Sequence, residues 1–170
     1  MKNLVLIILV LIHFNGFSQD HQETEKNLVG IQTKNNFKQQ PYAEWFDVNY
    51  NDAKLDAAVV GKIKKNIKGV TIKAFMGTWC GDSQHEVPVF YKLMDAINFD
   101  DKKLTMIAVN RSKETPDNLQ DGYQITNVPT FIFYKKGIEI GRFVEYPRET
   151  LEKDILKIVS GQNYKHSYQE

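Results

Sequence analysis

Residues 70–83 read Val-Thr-Ile-Lys-Ala-Phe-Met-Gly-Thr-Trp-Cys-Gly-Asp-Ser. The apolar run over 70–76 predicts a short buried strand. Gly77 to Gly81 predict a turn. From 82 to 97, Val87, Phe90, Tyr91, Met94 and Ile97 recur at helical spacing, and Pro88 predicts a kink inside that helix. Cys80 therefore falls where a strand hands over to a helix. Unpaired backbone N–H groups and the positive end of the helix dipole favour thiolate there, and thiolate is the nucleophile.

The pattern extends in both directions. Upstream, Leu55, Ala58, Val59, Ile63 and Ile67 form one helical stripe over 53–67, ended by Gly69. The aromatic-rich 42–50 predicts an edge strand. Downstream, 104–109 is a second buried strand and 115–123 a loop with room for one short helix. Residues 131–134 and 138–144 flank Lys135-Lys136-Gly137, the mark of a β-hairpin. A closing helix over 147–159 has Leu151, Ile155, Ile158 and Val159 inward, with Pro147 in its first turn. This order implies an α/β domain with a mixed sheet, parallel strands first and an antiparallel pair after.

The termini differ in character. Met1-Lys2-Asn3 is a positive head, residues 4–14 are mostly apolar, and small and polar residues follow. This is the layout of a secretory signal peptide over 1–18, with cleavage after Ser18. The apolar run is shorter than the roughly 20 residues of a bilayer span, so no stable membrane anchor is expected. The expected location is outside the cytoplasm, in the periplasm for a double-membraned bacterium and secreted otherwise. Residues 19–40 are polar and aperiodic and predict a flexible lead-in. The domain is expected over 41–161, and the polar 162–170 is expected to fray.

Composition narrows the function. Of 170 residues, 42% are hydrophobic, which fits one globular domain. Twenty-two basic residues stand against 21 acidic ones, which gives no footprint for nucleic acid. The chain has one cysteine, so no internal disulfide can form. Cys80 is a buried thiol, half of an intermolecular bridge, or a working thiol.

The segment 77–83 resembles the active-site segment of the thioredoxin superfamily, where the motif is Trp-Cys-Gly-Pro-Cys. Pro88 stands where that family kinks its active-site helix. Val128-Pro129-Thr130 resembles the family's cis-proline loop, and 131 through Gly137 its following hairpin. The resemblance covers 42–159. It implies a thioredoxin-like three-layer sandwich with a central mixed sheet and helices on both faces. It makes Cys80 the nucleophile and assigns partner-backbone binding to Trp79, Val128, Pro129 and Thr130. It calls for no cofactor and no metal.

Four positions depart from the family. Ser83 replaces the second cysteine, and Asp82 replaces the proline. The family's buried acid falls at Ala74, and that acid's lysine partner at Ala108. These losses remove the dithiol cycle. What remains is a monothiol oxidoreductase acting on protein disulfides or mixed disulfides, with Ser83 as a hydrogen-bond donor to the Cys80 sulfur. A second thiol, from the client protein, a small thiol or a reductase partner, must release Cys80. Two other readings stay open: a redox-silent module binding extended peptides, and a homodimer tied through Cys80. His85 reads as a surface histidine, about 140° round the helix from Cys80. Cys80-Gly81-Asp82-Ser83 also resembles the Cys-Gly-Phe-Ser of cluster-binding monothiol glutaredoxins, but Trp79, Asp82 and the export signal point away from that.

Overall fold

The computed structural model describes residues 27–169. The signal-peptide and cleavage expectations lie outside the described residues. Five strands, β1 (Gly30–Gln32), β2 (Val70–Met76), β3 (Leu104–Ala108), β4 (Thr130–Lys135) and β5 (Ile138–Val144), form one sheet in the order β1-β3-β2-β4-β5. Among the described residues, five α-helices accompany them, α1 (Lys34–Phe37), α2 (Ala43–Asp52), α3 (Ala57–Asn66), α4 (Gly81–Ala96) and α5 (Leu151–Val159), with a short 3-10 helix at Asp101–Lys103. The class is α/β with a central mixed sheet, as the sequence implies.

The sheet contains a single parallel pair, β2 with β3. β4 and β5 form the expected antiparallel hairpin, and β4 also runs antiparallel to β2. β1 is antiparallel to β3, with Gly30 opposite Ala108. This corrects the expectation of a flexible lead-in through residue 40. From Gly30 onward the segment is part of the fold, because Phe37 is fully buried in the core and the ladder to β3 satisfies the backbone.

Residues 42–50 are helical, not an edge strand. Tyr42, Trp45, Phe46 and Tyr50 recur at three and four residues, a spacing that puts them on adjoining turns. Phe46 stacks on Phe37 at 6.0 Å and on Tyr50 at 5.9 Å, and packs against Tyr91 at 5.9 Å. Helix α3 is capped by Asp56, whose carboxylate accepts from the N–H groups of Ala58 and Val59. Helix α5 is capped by Thr150, whose hydroxyl oxygen accepts from Lys153 N–H. Pro147 therefore lies in the preceding loop and not in the first turn.

Residues 162–169 are not frayed. Tyr164 packs on the main core, and its hydroxyl donates to the fully buried Asp154 at 3.2 Å. Arg148 donates to the carbonyl oxygens of His166 and Gln169 at 3.0 and 2.6 Å.

The two sheet faces are closed differently. All of α1 to α5 send buried side chains into the larger core, together with Ile72, Ala74, Met76, Met106, Phe131 and Phe133. On the other face Phe75, Ile107, Val109 and Ile132 are covered by Leu119, Tyr123, Ile125 and Val128. The third layer is thus the loop between β3 and β4, without a helix. Its turns are held by Thr115, whose hydroxyl oxygen accepts from Leu119 N–H at 2.8 Å. Pro116, and the positive φ of Lys113, Asn118 and Gln124, prevent a continuous helix there.

Candidate functional site

Strands β2 and β3 end side by side, with Met76 opposite Ala108. The turn that follows β2 is fixed by side chains. Gly77 N–H donates to Ser83 Oγ at 3.2 Å, and Cys80 N–H donates to the Gly77 carbonyl at 3.0 Å. Gln84 Nε2 donates to the Thr78 carbonyl at 2.7 Å. Leu28 N–H, just before β1, donates to Thr78 Oγ1 at 3.2 Å. The Trp79 indole N–H donates to the Val109 carbonyl at 2.8 Å, which lays the ring across Gly77. A Cβ on Gly77 would stand 2.5 Å from Trp79 Cε2, so only glycine leaves room for the indole. The Arg111 guanidinium lies 5.5 Å from the centre of the Trp79 ring, within cation–π range.

Cys80 is the N-cap residue of α4, in extended conformation with φ −99° and ψ 123°. It is half-buried, and its thiol donates to the Val128 carbonyl oxygen at 3.1 Å. The Val128-Pro129 bond is cis, as the resemblance implies. The 127–129 loop is held from both sides. Thr130 Oγ1 donates to the Asn127 carbonyl at 2.7 Å, and Glu145 N–H donates to the Pro129 carbonyl at 2.7 Å.

The structure therefore brings Trp79, Cys80, Val128 and Pro129 together. Thr130 is buried, and its hydroxyl faces its own loop instead of a partner. Ser83 takes a different role from the expected one. It is 0% exposed, its oxygen serves Gly77, and among the described residues no hydrogen bond joins it to Cys80. Ala74 and Ala108 are both fully buried, so the core carries apolar methyls where the family's acid and lysine would stand.

Glu86, one turn beyond Ser83 and on one helix face with Asp82, reads in the sequence only as ordinary first-turn acid enrichment. It is 5% exposed, and burial pushes its carboxyl above the usual carboxylate range. His85 Nδ1, 3.0 Å from Glu86 Oε1, opposes that shift. The His85 side chain is otherwise exposed, in line with a surface histidine. Asn127, Glu145 and Arg111 were missed, because nothing local marks a residue that acts across the fold. Among the described residues no cluster of three or more His, Cys, Asp or Glu is placed to hold a metal, and no helix is long and apolar enough to cross a membrane.

A family model described as Thioredoxin matches residues 31–157. The chain belongs to the thioredoxin family. A thioredoxin-like protein of Acanthamoeba polyphaga mimivirus is 31% identical over 90 residues, which cover 53% of this chain and 63% of that protein. The chloroplastic thioredoxin Y of rice is 31% identical over 81 residues, covering 48% of this chain and 45% of that protein. The chain thus spans less than two thirds of these thioredoxin relatives. A crystal structure of a Pseudomonas aeruginosa protein of unknown function matches with a TM-score of 0.51 at 15% identity, covering 70% of this chain and 81% of that one. That likeness concerns the fold. Thiol–disulfide oxidoreduction is the general kind of function that the thioredoxin family carries.

Proposed function

We propose that the protein is an exported monothiol thiol–disulfide oxidoreductase acting on disulfide- or thiol-bearing client proteins. The observation that carries this reading is the Cys80 thiol, set at the N-terminus of α4 and facing the Val128 carbonyl at 3.1 Å. The thiolate attacks one sulfur of a client disulfide. A new S–S bond forms as the old one breaks, and the departing client sulfur leaves as thiolate and takes a proton from solvent. The chain has one cysteine, so release needs an outside thiol. A client thiol completes isomerisation. A small thiol removes the adduct, and one disulfide is then made for each one broken. Trp79 and Asn127, both half-buried, flank the buried Val128 and Pro129, and the client meets this edge, where a carbonyl such as that of Val128 can pair with an extended backbone.

Incubation with a disulfide-bearing client, followed by non-reducing electrophoresis, tests this. The reading expects mixed disulfides that vanish in Cys80→Ala. Client capture that survives Cys80→Ala makes the protein a binding module instead. A covalent dimer formed without client, and no mixed disulfide, makes Cys80 a dimer link.

A further inference from the structure

The C-terminal segment 164–169 lies beyond the residues matched by the family model, yet it is tied to the candidate site. Tyr168 OH donates to Glu145 Oε2, and the same oxygen accepts from Asn127 Nδ2 at 3.0 Å. Asn127 directly precedes Val128, the residue that faces the Cys80 thiol. Glu145 itself has φ +64°, the left-handed region that costs a non-glycine residue free energy. Its N–H closes onto the Pro129 carbonyl at 2.7 Å. The rest of the segment is anchored independently. Arg148 holds the His166 and Gln169 carbonyls, Ser167 Oγ donates to the Tyr146 carbonyl, and the Tyr168 ring packs edge-on to Tyr146 at 5.9 Å. Tyr168 remains 51% exposed, so its bond to Glu145 is not forced by core packing.

We infer that residues 164–169 are a strap and that Glu145 is a positioning residue. Through Tyr168 and Glu145, the strap fixes the 127–129 loop in the place that a client backbone must meet. A residue in a strained left-handed conformation persists where its surroundings hold it. Here the surroundings are one carboxylate oxygen receiving two donors and one peptide N–H clamped to the loop. The strap sets how well a client docks and leaves the thiol's own chemistry alone. This deepens the oxidoreductase reading and, for its effect on clients, rests on it.

The test uses the full chain with Tyr168→Phe, Glu145→Ala and Glu145→Gln. Amide hydrogen exchange of residue 145 reads the loop clamp without any client. Second-order rates with a disulfide-bonded peptide read docking, and alkylation of Cys80 by iodoacetamide reads the thiol alone. Loss of one solvent-exposed hydrogen bond predicts about five-fold faster exchange at Glu145 in Tyr168→Phe and a peptide rate about five-fold lower. Glu145→Ala loses both bonds and falls further, Glu145→Gln restores at least half of the rate, and alkylation stays within about two-fold throughout. Unchanged exchange in Tyr168→Phe overturns the strap. So does faster exchange with an unchanged peptide rate, or a parallel fall in peptide and alkylation rates. Faster exchange in a protein whose parent form captures no peptide supports the strap and sinks the oxidoreductase reading instead.

Discussion

The Cys80 sulfur and the Val128 carbonyl oxygen stand 3.1 Å apart, although 48 residues separate them in the chain. A carbonyl oxygen only accepts, so this contact belongs to the protonated thiol and ends when the thiol ionises. Serine keeps a donor at this place and alanine does not. Cys80→Ser and Cys80→Ala are therefore both expected to lose mixed-disulfide formation. Only Cys80→Ala leaves the carbonyl without its partner, at a cost of about 1 kcal/mol. Denaturant unfolding separates them. Equal stability of the two variants would show that the contact contributes nothing.

Gly77 tests how firmly the indole is placed. Its φ is not positive, so the requirement for glycine is purely steric. Gly77→Ala should push the Trp79 ring off the Val109 carbonyl and destabilise the fold by about 1–3 kcal/mol. A changed Trp79 fluorescence spectrum and a lowered unfolding midpoint would report it. A spectrum and midpoint identical to the parent's would mean the ring moves freely.

Ser83 distinguishes a structural from a chemical role. Ser83→Ala strands the buried Gly77 N–H and should cost about 1–3 kcal/mol. Alkylation of Cys80 should change by less than about two-fold, since Ser83 makes no hydrogen bond to the thiol. Full stability with a large change in alkylation rate would restore the donor role that the sequence implied.

Glu86 gives a pH signature. Its folded-state pKa is raised, mainly by burial, so the folded protein holds that proton more tightly than the unfolded chain. The stability this supplies is present below the usual glutamate range and is lost as pH rises through the raised value. Glu86→Gln is permanently neutral. Its unfolding midpoint should match or trail the parent's near about pH 4 and overtake it towards about pH 8. A constant difference across that range would remove burial as the controlling cause.

Local periodicity made most of the fold legible. Val70–Met76 and the stripe from Val87 to Ile97 are decided by side chains close in sequence, and both elements stand where expected. Residues 42–50 were misassigned because aromatics favour strands in general, while here Phe46 and Tyr50, four apart, share a core formed with Phe37 and Tyr91. β1 was missed because three residues whose pairing lies more than 70 positions away carry no period. The site was legible at Cys80, Trp79, Val128 and Pro129, which sit in recognisable segments. It was illegible at Asn127, Glu145 and Tyr168, whose meaning lies in one shared oxygen. Ser83 was found but misread, because spacing along a helix does not reveal that a hydroxyl has turned back to a glycine N–H.

β1 runs antiparallel to β3, and Leu28 is fastened to Thr78. The chain thus joins its domain at the pole that carries the thiol. A fluorophore or affinity handle fused ahead of residue 27 is a close neighbour of whatever docks there. One added after Val159, in place of the C-terminal residues, would sacrifice the strap. For anyone choosing where to label this protein, the N-terminal side is the reporter position.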